Sequence, residues 1–341
     1  MITGYLKEGQ SRKMKKIIND PGQVVSDMLA GMEAVNPEIC YDKENEVIYR
    51  RKKTEKVGIV SGGGSGHEPA HAGYVGMGML DAAVAGNVFA SPDPARILNG
   101  IEHADSGRGV LLVIKNYSGD IMNFEMAADL AADMDIPVKS VIVRDDVAVK
   151  ESTYSTGRRG IAGTIFVHKI AGAKAENGGT LEEVAELAQK TADNVRSFGV
   201  SLSSCILPGV GTPGFVIGEG QMELGMGIHG EPGIEQTSMK SAAEIAEIMV
   251  EKITADLDYS GREAAVIVNG LGGTPFMELY ILAGEIDKRI RAKHITPVKY
   301  LVGNYMTSLE MAGASMSMLR LDEEMKQYLA SPCNTMAWKE G

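Results

Sequence analysis

Short apolar runs alternate along this chain with longer segments of helical period. Runs rich in Val, Ile and Leu break off at Gly, Asn or Asp: "KVGIV" before "SGGGSG", "GVLLVI" before "KNYSGD", "VKSVIV" before "RDDVAV" and "EAAVIVN" before "GLGGTP". Bounded in this way, they read as strands. Apolar spacing of about 3.6 residues predicts helices over 23–35, 124–133, 164–176, 181–198, 242–257 and 275–293. Thr180 with Glu183 three residues on forms a capping-box pattern, and Gly178-Gly179 closes the helix before it. Strand–loop–helix alternation is the signature of an α/β fold, in which ligands gather beyond the carboxyl ends of the strands. "ASMSMLRLD" alternates Met and Leu with small polar residues, which predicts a half-buried strand and a mixed sheet.

The length of 341 residues exceeds one ordinary core, so two domains are expected. The division is a leader-like segment over 1–13, an N-terminal α/β domain over 14–192 and a C-terminal α/β domain over 193–341. The composition, 44% apolar and 23% charged with 41 glycines, is that of a globular chain, and the formal charge of −11 opposes a nucleic-acid partner. Cys40, Cys205 and Cys333 are scattered and odd in number, which suggests neither a disulfide framework nor a thiolate metal site. No apolar run approaches the ~18 to 20 residues that cross a bilayer, so a soluble, cytoplasmic protein is expected.

Three loops carry residues suited to chemistry. "SGGGSGHEPAHAGY" ends a glycine run at His67; glycines let several N–H groups converge on an oxygen-rich ligand. The loop lacks the Lys and Ser/Thr of a Walker A motif. "HEPAH" resembles a zinc motif superficially, but Pro69 inside it disfavours a regular two-histidine helix. In "KNYSGDIMNFE", Asp120 either receives a proton from a ligand hydroxyl or caps the following helix, and Lys115 can hold an oxygen. "GMGIHGEPG" sets His229 between glycines, where a neutral imidazole can approach and attack a ketone, with Glu231 as the candidate for orienting the ring. His71, His103, His168 and His294 read as structural. Arg158 and Arg159 in "STGRRGIAGT" fit phosphate binding and ion pairing equally, and "DDVAVKES" fits a solvated turn better than a metal site.

Taken jointly and in order, "SGGGSGHEP", "KNYSGDIMNFE", "DDVAVKES", "YSTGRRGIAGT", "GIHGEPG" and "LGGTPFMELY" resemble the substrate-binding subunits of dihydroxyacetone kinases, from about residue 14 to near the C-terminus. The resemblance implies that Gly64, Ser65, Gly66 and His67 contact the triose and that Lys115 and Asp120 hydrogen-bond its oxygens. It implies that His229 adds to the ketone carbon as a hemiaminal, and that His229, His67 and Asp120 carry the catalysis. It implies two α/β domains, each a mixed sheet flanked by helices with the site in the cleft between them, and a homodimer with no cofactor or metal of its own. ADP/ATP and Mg²⁺ are expected on a nucleotide-binding partner subunit, which a phosphotransferase-system phosphocarrier subunit recharges. Fused, ATP-dependent members continue into a nucleotide domain where this chain ends, so the phosphotransferase-driven type is expected. Two other readings stand beside it: a non-catalytic paralogue that binds dihydroxyacetone as a transcriptional co-activator, and an aldolase-like or isomerase enzyme with Lys115 as imine former.

Overall fold

The computed structural model describes residues 15–149, 157–229 and 233–341. The leader-like segment, Glu231 and parts of "DDVAVKES" and "YSTGRRGIAGT" lie outside the described residues. Helix α1 (Val24–Val35) leads into a sheet built from β1 (Ile39–Asp42), β2 (Val47–Arg50), β3 (Gly58–Ser65), β4 (Ala82–Val88), β5 (Val110–Lys115) and β6 (Val138–Val143). Helices α2 (Pro94–Ala104) and α3 (Ser118–Ala132) connect its later strands. Its order is β1-β2-β4-β3-β5-β6, with β4, β3, β5 and β6 mutually parallel and β1 and β2 antiparallel.

Helices α4 (Thr164–Glu176) and α5 (Leu181–Asp193) follow, and then a second six-stranded sheet. That sheet comprises β7 (Val195–Ser201), β8 (Gln221–Leu224), β9 (Glu235–Ser238), β10 (Glu263–Gly270), β11 (Thr296–Gly303) and β12 (Gly313–Arg320). Helices α6 (Ala242–Asp256) and α7 (Phe276–Ala292) precede β10 and β11, and α8 (Glu323–Leu329) follows β12. The order is β11-β10-β12-β7-β8-β9; only the β10/β11 pair is parallel, so both sheets are mixed, as expected.

Apolar faces sort the elements into five layers. Val60, Leu112 and Ile114 pack on α2 and α3 through Ile97, Ile101 and Phe124. Val266, Val268 and Met316 pack on α6 and α7 through Met249, Ile253 and Ile286. Between the sheets one shared core joins Ile59, Leu111 and Val113 of the first to Ile267 and Leu319 of the second, through Phe166 and Ile170 of α4 and Leu187 of α5. Nearly every residue of α4 is buried, because a helix between two sheets has no solvent face.

Three expectations shift in position. The helix predicted over 181–198 ends at Asp193, and Val195–Ser201 form the strand β7 inside the second sheet. Helix α3 begins at Ser118, six residues before the predicted start; Gly119 is a packing position there, since a Cβ would lie 2.9 Å from Ser91 Oγ. β12 is buried on both faces because it is central, and its alternating serines find partners: Ser317 Oγ lies 2.6 Å from Ser197 Oγ, and Asn269 Nδ2 donates to Ser315 Oγ at 3.1 Å. The Thr180 capping box forms as predicted.

Asp145 ties the two halves together. Fully buried after β6, it accepts hydrogen bonds from the backbone N–H groups of Ile161 (2.7 Å) and Gly163 (2.9 Å) and from the hydroxyl of Ser197 on β7. Replacing it leaves three buried donors without an acceptor. Asp145→Ala is expected to cost about 3 kcal/mol or more of unfolding free energy in urea titrations. A cost under about 1 kcal/mol would mean that the seam is held elsewhere.

Candidate functional site

The parallel strands of the first sheet end together, and the glycine run occupies the end of β3. Gly63 and Gly66 adopt φ of +145° and +104°, which favours glycine. Space demands it as well, since a Cβ on Gly63 would lie 2.4 Å from Lys115 Nζ and one on Gly66 2.7 Å from the Phe89 ring. The loop therefore runs from Lys115 and Asp120 at one end to His67 and Phe89 at the other.

Lys115 closes β5 and is fully buried. Its ammonium donates to the Gly62 carbonyl at 3.0 Å and to Asp120 Oδ2 at 3.4 Å, and lies 3.0 Å from His71 Nε2. Asp120 stands in the first turn of α3, where a helix N-terminus favours a carboxylate, and its Oδ1 accepts from Ser91 Oγ. The capping alternative for Asp120 placed the helix start near Asn123; in the structure the carboxylate instead faces Lys115 and Ser91.

The second half reaches over the loop through residues 307–309. Thr307 N–H donates to the His67 carbonyl (3.2 Å), Thr307 Oγ1 to the Glu68 carbonyl (2.8 Å) and Leu309 N–H to the Gly66 carbonyl (2.7 Å). His67 Nδ1 sits 2.8 Å from the Thr307 carbonyl. A carbonyl only accepts, so the ring proton is on Nδ1 and Nε2 carries a bare lone pair. That Nε2 is buried and has no hydrogen-bond partner among the described residues. Burial, reinforced by His229 and Lys115 nearby, holds His67 well below the ordinary histidine value and hence neutral.

His229, in the loop after β8, is half-buried and completes the site. Its ring meets His67 at 4.6 Å and 81°, Tyr117 at 4.5 Å and 90°, and Phe89 at 5.5 Å and 87°, so three aromatic neighbours fix its plane by edge-to-face contact. A neutral base with an open lone pair beside a second imidazole suits addition to a carbonyl, because the adding ring must shed a proton.

Gly64, Ser65, Gly66, His67, Lys115, Asp120 and His229 thus line one seam. Residues not singled out from the sequence join them: Phe89, Ser91 and Thr307, from the apolar and small-residue background, and Tyr117, which stands inside the charged, glycine-containing "KNYSGD". His71 and His168, which read as structural, form a buried pair behind Lys115, with His71 Nδ1 3.0 Å from His168 Nε2. The arginine pair resolves as ion pairing: Arg158 binds Asp256, which Arg196 also contacts, and Arg159 binds Asp146. Among the described residues no three His, Cys, Asp or Glu side chains converge as a metal site, and no helix is long and apolar enough to cross a membrane.

Known proteins resemble this chain over nearly its whole length. The sequence pattern of the Dak1 domain matches residues 30–337. A Listeria innocua protein, "PTS-dependent dihydroxyacetone kinase 1, dihydroxyacetone-binding subunit DhaK", is 50% identical over 95% of this chain and all of its own length. Among solved structures, a "dihydroxyacetone kinase operon co-activator Dha-DhaQ" superposes with a TM-score of 0.89 at 35% identity, covering 94% of this chain and 99% of its own. The dihydroxyacetone kinase of C. freundii superposes with a TM-score of 0.87 at 38% identity, covering 96% of this chain and 60% of its own.

Two outcomes follow from packing and protonation. Gly63→Ala should lose about 1 to 3 kcal/mol in chemical denaturation, whereas Gly284→Ala, on α7 with nothing within 4 Å of the added Cβ, should lose nothing and gain up to about 1 kcal/mol. Burial, then Lys115, pushes His168 down to about 3. Between about 6.5, the unfolded value, and that point the unfolded chain binds the extra proton, so the stability this group contributes at neutral pH is lost as pH falls. The unfolding free energy of His168→Leu should consequently fall less steeply between pH 6.5 and 4 than that of the wild type, by up to about 1.4 kcal/mol per pH unit. Identical slopes would place the acid sensitivity elsewhere.

Proposed function

The chain belongs to the Dak1 domain family, and on that footing we propose that it is the dihydroxyacetone-binding subunit of a phosphotransferase-system-dependent dihydroxyacetone kinase. The observation that carries this reading is the edge-to-face contact of His67 with His229 at the seam, with Lys115 and Asp120 at the other end of the same glycine loop. The relative named as a binding subunit is matched over its full length, which supports a subunit role.

A ring nitrogen of His229 bonds to the ketone carbon and the carbonyl π bond opens. The carbonyl oxygen gains a proton while the other ring nitrogen loses one, so the hemiaminal is neutral. His67 Nε2 is the lone pair beside that ring and serves this proton movement. Dihydroxyacetone is so small that even a ceiling of about 1.5 kcal/mol per heavy atom limits its non-covalent affinity. The covalent bond adds affinity and rejects glycerol, which has no carbonyl. Lys115 and the loop at Gly64, Ser65 and Gly66 hold the hydroxyls, and Asp120 takes the proton of the hydroxyl that is phosphorylated. ATP held with Mg²⁺ on a nucleotide-binding partner supplies the phosphoryl group, and a phosphocarrier subunit recharges that partner. A cytoplasmic homodimer belongs to the same reading and rests on the resemblance.

The likeness to a solved co-activator gives a second reading, a dihydroxyacetone sensor without turnover. Reconstitution separates the two. With a nucleotide-binding subunit the chain should form dihydroxyacetone phosphate, and with ATP and Mg²⁺ alone it should not; triose binding without turnover in the reconstituted system would favour the sensor. His229→Ala should abolish the triose mass adduct in native mass spectrometry. Asp120→Asn should keep the adduct and lose about 100-fold or more in kcat, the usual contribution of a general base. An undiminished adduct in the first variant, or unchanged kcat in the second, would remove that residue from its role.

A further inference from the structure

Behind the proposed triose site lies a buried pair of histidines that the reaction does not use, joined to the site through Lys115. Lys115, His71 and His168 come from β5, the loop after β3 and α4, and all three are buried. Lys115 Nζ is 3.0 Å from His71 Nε2, and His71 Nδ1 is 3.0 Å from His168 Nε2, with the imidazoles at 68° and 5.2 Å.

The direction of this hydrogen-bond chain is fixed at its first link. An ammonium can only donate, so His71 Nε2 accepts and the ring proton of His71 is on Nδ1. That proton points at His168 Nε2, which must therefore accept, leaving the His168 proton on Nδ1. Ser61 Oγ, 3.4 Å from His71 Nδ1, donates to the Val113 carbonyl at 2.7 Å, so its lone pairs face the same N–H. Burial keeps both rings neutral, in agreement with the donor pattern.

Lys115 has three protons and, among the described residues, three acceptors. Two acceptors are rigid and close: the Gly62 carbonyl in β3 and His71 Nε2, each at 3.0 Å. The third, Asp120 Oδ2, is farther away at 3.4 Å. Two anchored protons determine where the remaining one points. We propose that His71, held in turn by His168, is a positioning residue for Lys115, aiming its third proton along the line to Asp120 where a ligand oxygen competes for it. Without the His71 acceptor the ammonium turns to satisfy its protons elsewhere and that aim is lost.

The functional consequence rests on the triose-binding reading, whereas the hydrogen-bond order rests on geometry alone, so the test has two arms. Nitrogen-15 imidazole NMR of the folded wild-type chain at pH 7 should show His71 and His168 both protonated on Nδ1 and bare on Nε2. A proton on Nε2 of either ring would overturn the inference, whatever the ligand proves to be. In the reconstituted kinase, His71→Leu should raise the KM for dihydroxyacetone about tenfold or more. His71→Gln, whose side-chain oxygen can replace Nε2 as acceptor, should stay within about threefold of wild type. Equal KM values for wild type and His71→Leu, or a glutamine variant as impaired as the leucine variant while folded, would also overturn it. If His71→Leu does not fold, the NMR pattern and the glutamine variant decide. Failure of the wild-type chain to bind dihydroxyacetone would refute the triose reading and leave the NMR arm standing.

Discussion

The hydrogen bond from His67 Nδ1 to the Thr307 carbonyl is the contact on which the rest of the seam depends. It joins residues 240 positions apart, at 2.8 Å in a buried setting. Because the carbonyl can only accept, it decides which nitrogen of His67 is bare, and because the ring is buried, that nitrogen stays neutral at physiological pH. Three further bonds from Thr307 and Leu309 to the backbone of Gly66, His67 and Glu68 satisfy a loop that would otherwise bury unpaired carbonyls. The same residues thus close the two halves on each other and set the protonation state of the proposed base.

Both sheets serve this geometry. The parallel strands β3, β4 and β5 deliver the glycine loop, the Phe89–Ser91 segment and Lys115 to one edge, as open α/β sheets do. The second sheet contributes the loop after β8 with His229 and the loop after β11 with Thr307. Between them the almost wholly buried α4, together with Asp145, makes the seam a packed interior, so His229 and His67 meet at a fixed angle.

Much of this was legible in the sequence, and the exceptions have physical causes. Strand ends marked by glycine located the site, since only glycine tolerates the φ of Gly63 and the approach of Lys115 to it. The boundary between α5 and β7 was hidden because "VRSFGVS" continues an apolar spacing that suits a helix as well as a strand buried on both faces. The start of α3 was hidden because Gly119 is a turn signal in sequence and a close-packing residue in space. Thr307 and Ser91 act through a carbonyl and a single hydroxyl, which leave no pattern. His71 lies in the glycine-loop motif but makes its contacts on Lys115 and on His168, 97 residues away, so its part is visible only once α4 is placed.

The central claim is that a ketone carbon becomes bonded to a histidine nitrogen at this seam. Carbon-13 NMR of dihydroxyacetone labelled at its carbonyl carbon, added to chain carrying nitrogen-15 histidine, tests it most directly. The bound carbon should move from the carbonyl region to that of a tetrahedral carbon and show one-bond coupling to a single histidine nitrogen. A bound carbon that keeps its carbonyl shift, or one trapped as a trigonal imine on lysine, would contradict the account.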